Sequence, residues 1–536
     1  MHSRRTFVSV SALALLGAAA PAARAETGFT TRFVDIIAAD GVALKAMVME
    51  PRTPQPHPAV VLVSAWGGGS TQNVMPARTL ASHGYVVVAY GARGFGESAG
   101  EVDTAGPADI GDVTTVLDWT CANTATDPAR IGLAGVSYGA GIGLIAAAFD
   151  QRIRSVVSLS GWYDLVHSLY GNETRRGLVA LILYTSGWAH GRLSRETDWM
   201  LRTFFDPDPD PADREVINEW ARVRSPSRYL DRLNENRPAL LIGHTWSETV
   251  FPPDQMVELF NDYAGVKRLD LIPGEHASAE SGGLLGLPSE TWDTVHRWFD
   301  ATVAGTDPSV LHEQPVVLRA RPGTHEPEFH PDWRSAEGEP RRFYLGPGQD
   351  EGEGVIGDAP RPGWHVEIDT DRDTAAYGGV PLASYSFEAL SGEPPRTWLP
   401  AVDRERGAVW TSPELPQPLP VRGAVSVHLT VVPPGPTGTI VAYLYDVDPT
   451  DGARLINYLP MSWTDAAPGE PRTVDLRFSP TAYDVPADHR LGLVIDTKDP
   501  LFIDWNSGGG RVALTSPEAE PSHVDIPVGR GEGTAL

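Results

Sequence analysis

A serine flanked by small residues, in Gly135-Val136-Ser137-Tyr138-Gly139, is the segment of this 536-residue chain best suited to covalent chemistry. It fits the G-x-S-x-G pattern, in which a tight strand-to-helix turn presents a serine hydroxyl above the edge of a sheet. Arg130-Ile131-Gly132-Leu133-Ala134 before it reads as a buried strand, and Gly139 to Ala148 after it as a closely packed helix. Glycine on either side lets the two approach as the turn requires. A serine hydroxyl is a poor nucleophile until a base takes its proton and an acid orients that base. His276, in Pro273-Gly274-Glu275-His276 after the apolar run Leu269 to Ile272, is the candidate base. Glu248, in the loop Gly243 to Pro253, is the candidate acid, with Asp254 as the alternative. His244 is a rival imidazole, but it lies on the acid's loop, so packing or substrate lining suits it better.

The oxyanion of an acyl-transfer intermediate needs donors aimed at it. The backbone N–H of Tyr138 is one candidate, and the loop Ser64-Ala65-Trp66-Gly67-Gly68-Gly69-Ser70 offers a second at Trp66 or Gly67. Trp162, Trp188 and Trp246 are candidates for lining an apolar pocket. This chemistry calls for no metal and no organic cofactor. Arg93-Gly94-Phe95-Gly96-Glu97-Ser98 is a polar loop near the site whose arginine serves either a salt bridge or a substrate. Asp206-Pro207-Asp208-Pro209-Asp210-Pro211 reads as a stiff linker rather than a calcium site. Asp369-Thr370-Asp371-Arg372-Asp373 opens like a calcium loop, but Thr374 at its sixth position and Val380 at its twelfth rule that out.

These residues need a frame. From residue 26 to about 305, strands alternate with helices, the pattern of an α/β sheet. Phe33 to Ile37 and Leu44 to Met49 flank the hairpin signal Asp40-Gly41. Ala59 to Val63 and Tyr85 to Ala89 are continuous apolar runs, as buried parallel strands require. Ile153 to Leu159, Ala239 to Ile242 and Leu269 to Ile272 follow the elbow strand. Eight strands, antiparallel at first and parallel afterwards, resemble the α/β-hydrolase order. About eighty residues between the sixth and seventh strands carry only helical patterns and read as a cap over the ligand-binding edge. Beyond about residue 310 short alternating runs such as Val425 to Val431 take over, which predicts a β-sandwich of jelly-roll type.

The first 25 residues read as a targeting segment. Ser3-Arg4-Arg5-Thr6-Phe7 resembles a twin-arginine signal, followed by an apolar run to Ala20 and small residues at Ala23-Arg24-Ala25. The run is too short for a permanent membrane anchor, so a secreted, extracellular or periplasmic destination is expected. Removing the segment takes away three arginines and no acids, moving the formal charge from -26 to -29. So acidic a surface argues against nucleic acid or anionic membrane as partners. One cysteine, Cys121, excludes an internal disulfide framework and a cysteine-rich metal site. Oligomeric state has no signature in the sequence.

Over its whole mature length the chain resembles the X-Pro dipeptidyl-peptidase and cocaine-esterase group of serine hydrolases. The resemblance rests on Gly135-Val136-Ser137-Tyr138, Arg93-Gly94-Phe95-Gly96-Glu97-Ser98 and Asp118-Trp119. It continues in Val409-Trp410-Thr411-Ser412-Pro413-Glu414-Leu415, Leu444-Tyr445-Asp446-Val447 and Asp488-His489-Arg490-Leu491. The chain is thus expected to divide into a signal segment at 1–25, an α/β-hydrolase domain at 26–310 with a helical cap at about 165–235, and a galactose-binding-like jelly roll at 311–536. The resemblance implies hydrolysis of a small ester or X-Pro peptide substrate through an acyl-enzyme. Two departures stand out: Trp66 occupies the place where several esterase members carry a tyrosine, and Glu248 replaces the commoner aspartate. A dipeptidyl-peptidase also needs a carboxylate for the substrate's amine, for which the cap offers Glu173 and Asp198. The contrasting expectation is a noncatalytic binding protein that uses its jelly roll.

Overall fold

The computed structural model describes residues 28–206, 210–323, 326–350, 352–506 and 510–529. The expected export segment lies outside the described residues, as do 207–209 of the Asp-Pro linker.

Strands β1 (Phe29–Ile37) and β2 (Ala43–Pro51) form an antiparallel hairpin around Asp40-Gly41, and β2 pairs antiparallel with β4 (Val86–Tyr90). From β4 the sheet runs parallel through β3 (His57–Val63), β5 (Thr126–Val136), β6 (Ile153–Leu159), β7 (Ala239–Thr245) and β8 (Lys267–Ile272). Every residue of β4 is buried, which explains its unbroken apolar run: both faces are covered by helices. On one face lie α2 (Pro107–Asn123), α3 (Tyr138–Phe149) and α9 (Asp254–Asp262), and on the other α1 (Val74–Ser82), with α10 (Ser278–Leu284) and α11 (Glu290–Phe299) at its far side.

The sheet does not stop near residue 310. Two further strands, β9 (Val316–Leu318), parallel to β8, and β10 (Glu328–His330), antiparallel to β9, join the same edge. Runs of three residues are too short to show a period, so the sequence reading places them in the second domain.

Between β6 and β7 the chain forms α4 (Leu165–Tyr170), α5 (Gly177–His190), α6 (Arg195–Phe204), α7 (Pro211–Val223) and α8 (Leu230–Asn236). The first four build the cap. The last packs back on α3, where Asn236 Nδ2 donates to Ala147 O at 2.9 Å.

The C-terminal half folds into a β-sandwich whose core includes Trp410, Val427, Leu429, Leu444 and Leu493. Strand Ser426–Val432 buries Val427, Leu429 and Val431 as its alternation predicts, with Thr430 buried beside them, whereas all ten residues of Gly438–Val447 are buried. The second strand has no wet face. Ile440, Ala442 and Leu444 enter the sandwich core, while Val441, Tyr443 and Tyr445 pack under Tyr385 of the helix Ser384–Ser391.

Hydrogen bonds join the halves directly. Ile503 N donates to Arg175 O at 2.9 Å, and the hydroxyls of Thr174 and Ser462 lie 2.8 Å apart. Arg321 makes a bidentate pair with Glu388 at 2.5 and 3.0 Å, and its Nη1 donates to Ile456 O at 2.8 Å. Both side chains are almost fully buried. Arg321→Ala would strand the Glu388 charge out of water, a loss that typically costs about 3–5 kcal/mol. Urea unfolding followed by tryptophan fluorescence should therefore begin at a clearly lower concentration, and a wild-type midpoint would remove the pair from this role.

Candidate active site

Ser137 caps α3 with φ 56° and ψ -113°, a positive-φ conformation outside the allowed wells for a residue that carries a Cβ. Such a backbone costs on the order of 1–3 kcal/mol and survives only where its surroundings over-determine it. Here they do. Ser137 N donates to Leu159 O of β6 at 2.8 Å, and Ser137 O accepts from Ala140 N at 3.0 Å. The turn also leaves no room beside it. A Cβ on Gly135 would lie 2.2 Å from Gly139 C, and one on Gly139 2.5 Å from Val63 O.

His276 and Glu248 reach the serine from the loops after β8 and β7. His276 Nε2 lies 2.8 Å from Ser137 Oγ, and His276 Nδ1 lies 3.0 Å from each Glu248 oxygen. Glu248 Oε1 also accepts from the N–H groups of Val250 and Phe251 at 2.9 and 3.2 Å, so the longer glutamate side chain is fixed by its own loop. Burial works against a charge on Glu248, but the attraction and hydrogen bond of His276, with smaller help from His244 and Val250 N–H, hold the carboxyl below its ordinary range. For His276 burial favours the neutral ring, yet Glu248, and to a lesser degree Glu280 and Glu275, lift the imidazole above its ordinary value.

The alternatives separate cleanly. Asp254 Oδ2 faces His167 Nε2 of the cap at 2.8 Å, and His244 Nε2 is taken by Phe251 O at 2.8 Å. Arg93 is structural, with Nε and Nη2 on Asp112 at 2.7 Å each and Nη1 on Asp40 at 2.8 Å.

Tyr138 is the first residue of α3, so its N–H has no helical acceptor. Its ring is fixed by a 2.6 Å bond from its hydroxyl to Asp109, whose carboxyl burial pushes up to about 7. Trp66 packs edge-on against that ring at 5.3 Å, bringing the glycine loop beside the serine turn. Among the described residues the N–H groups of Trp66 and Gly67 donate to no protein acceptor. The Trp66 indole is committed elsewhere, donating to Leu183 O of α5 at 3.1 Å, so an oxyanion can be met there only by backbone.

The three tryptophans take different places. Trp162 is buried, tilted on Phe251 at 5.0 Å, and Phe251 in turn meets the His276 ring edge-on at 5.4 Å. Trp188 is 57% exposed on α5, and Trp246 is buried with its indole on Arg319 O at 2.7 Å. Trp246 is therefore packing for β9 rather than pocket wall.

Sequence reasoning passed over three buried side chains. Glu275 Oε1 accepts from Thr249 N (3.1 Å), Thr249 Oγ1 (2.6 Å) and His276 N (3.2 Å). Ser160 Oγ donates to Glu280 Oε1 at 2.8 Å and accepts from Ala277 N at 3.2 Å. Burial pushes both glutamates up to about 7, with Glu248 as the next largest cause for Glu275. Only the position of Glu275 directly before the candidate base could have drawn attention to it.

Glu248→Gln removes the strongest charge favouring the His276 imidazolium while leaving its burial intact. The midpoint of the His276 ring in an NMR titration should therefore fall, and an unmoved midpoint would contradict the electrostatic assignment.

Residues 40–278 match the model of the X-Pro dipeptidyl-peptidase (S15 family), and residues 309–526 that of the X-Pro dipeptidyl-peptidase C-terminal non-catalytic domain. A putative Xaa-Pro dipeptidyl-peptidase of Streptomyces avermitilis is 22% identical over 520 residues, covering 80% of this chain and 69% of that protein. An uncharacterized 31.7 kDa protein of Escherichia coli is 34% identical over 129 residues, 23% of this chain. The chain spans 44% of that relative's length. Among solved structures, an alpha-amino acid ester hydrolase aligns with TM-score 0.73 and 16% identity, covering 97% of this chain and all of the other. A CocE/NonD family hydrolase from Staphylococcus aureus aligns with TM-score 0.70 and 13% identity, covering 93% of each. At such identities the structures show a shared fold.

Proposed function

The chain belongs to the X-Pro dipeptidyl-peptidase (S15) family of serine hydrolases, and from that premise we propose that it is an exported enzyme that cleaves acyl esters through an acyl-enzyme on Ser137. The observation that carries the proposal is the unbroken line Ser137 Oγ, His276, Glu248, with both gaps at hydrogen-bonding distance. Ser137 Oγ attacks the ester carbonyl as His276 Nε2 takes its proton, and Glu248 stabilises the imidazolium. The tetrahedral oxyanion receives the N–H of Tyr138 and one from the Trp66–Gly67 segment. Collapse expels the alcohol, which takes the proton back from His276. Water then repeats the sequence and releases the acid.

Two features favour an ester of an uncharged acyl group over an X-Pro peptide. A peptide's free amine calls for an uncommitted carboxylate, yet Asp198 pairs with Arg202 at 2.8 Å and accepts from Tyr184 OH at 3.1 Å. Glu173 contacts the sandwich instead, with Thr464 Oγ1 at 3.4 Å from its carboxylate. The ring nearest the His276 imidazole is the apolar Phe251. Export rests on the Arg4-Arg5 segment and its apolar run.

A fluorophosphonate probe should label the wild-type protein and fail on Ser137→Ala, whose turnover falls by about 10⁶-fold. Short-chain aryl esters should be turned over faster than an X-Pro anilide under the same conditions, and anilide turnover alone would reverse the substrate assignment. Expressed in a bacterium with twin-arginine export, the full chain should reach the periplasm or medium, and Arg4→Lys with Arg5→Lys should hold it in the cytoplasm.

A further inference from the structure

We propose that Glu275 is a positioning residue that ties the loop carrying Glu248 to the loop carrying His276, keeping acid and base in register during turnover. The inference rests on the Ser137–His276–Glu248 reading.

The two loops follow neighbouring parallel strands, β7 and β8, whose pairing ends at Thr245 and Ile272. Beyond those residues the ladder no longer fixes their separation, although Trp246 N still reaches Ile272 O at 3.0 Å and Ser247 N reaches Gly274 O at 3.2 Å. Glu275 then supplies the next crosslink. A single carboxyl oxygen collects Thr249 N and Thr249 Oγ1 from one loop and His276 N from the other. Thr249 directly follows the acid, and Glu275 directly precedes the base. Movement of either loop would therefore stretch bonds one residue away from a reacting or orienting group. The cost of a misplaced base is large, because ångström-scale errors in position typically cost about 10²-fold in rate.

Glu275 is wholly buried, and its second oxygen, Oε2, has no hydrogen-bond partner. An unsatisfied buried oxygen costs free energy, so packing alone would favour an apolar residue here. What the carboxyl contributes is the three-way acceptor. Its titratable neighbours are Glu248 on the acid loop, His276 and Glu280 on the base side, and the neutral phenols of Tyr385 and Tyr458 from the sandwich, whose ionisation Glu275 opposes. Arg176 of the cap reaches the same junction through Thr249 O at 3.2 Å.

The test is steady-state turnover of a short-chain aryl ester by the full-length protein, with fluorophosphonate labelling in parallel. Glu275→Ala should lower kcat by 10- to 100-fold while KM stays within about threefold, since no substrate contact is lost. Glu275→Gln keeps an acceptor oxygen in place and should restore most of kcat. It also removes whatever negative charge the partly neutralised carboxyl carries beside the His276 imidazolium, so the acid limb of its pH–rate profile should move slightly to lower pH. Wild-type kcat in Glu275→Ala, or a Glu275→Gln no better than Glu275→Ala, would overturn the proposal. If circular dichroism shows Glu275→Ala unfolded, Thr249→Val decides: several-fold lower kcat at unchanged KM supports the link, and wild-type kcat overturns it. Failure of the wild-type protein itself to label would refute the underlying site reading instead, so the two failures are distinguishable.

Discussion

The strained, positive-φ backbone of Ser137 is the constraint to which the rest of the molecule answers. A strand can hand over to a helix at that angle only if no side chain stands in the gap. The glycines at 135 and 139 clear it, and the carbonyl of Leu159 anchors the turn from the neighbouring strand. Once the turn is fixed, α3 must descend over the centre of the sheet, and its apolar, small-residue sequence is what such burial demands. The positions of β7 and β8 follow, and with them the loops that bring acid and base to one side of the hydroxyl.

Around this point the protein concentrates buried acid groups that it tolerates nowhere cheaply. Glu248 is kept ionised by the imidazole it orients, while Glu275 and Glu280 are driven toward neutrality by burial. The two classes behave differently because only Glu248 has a cation-forming partner at hydrogen-bonding distance. The others meet hydroxyls and backbone N–H groups, whose hydrogen bonds favour the ionised carboxyl but do not offset its burial.

Much of this was legible in the chain itself. The elbow, the runs that became β3, β4 and β6, and the candidate acid and base all carry local signals: glycine spacing, unbroken apolar stretches and position after a strand. Val425 to Val431 announced its half-buried face through strict alternation. What stayed hidden depends on contacts distant in sequence. The runs that became β9 and β10 are too short to carry a period, and Trp246 looked like pocket wall until its indole was found on Arg319 O. Glu275, Ser160 and Glu280 share no motif, being joined only when β6 and β8 lie in one sheet. The replacement of tyrosine by Trp66 was visible, but the capture of its indole by α5 was not, because the cap's placement is a tertiary fact.

The helix Ser384–Ser391 belongs to the sandwich, yet Ala389 lies against Gly274 and the Ser247 hydroxyl reaches Glu388 at 3.5 Å. The wall behind the base and acid loops is thus supplied by the half of the chain that bears none of the three aligned groups. The α/β half cut away at its last strand would expose that wall to water and leave both loops without backing. The two halves are therefore not interchangeable cassettes: a sandwich grafted from another protein would have to reproduce the surface of one short helix before the serine could work.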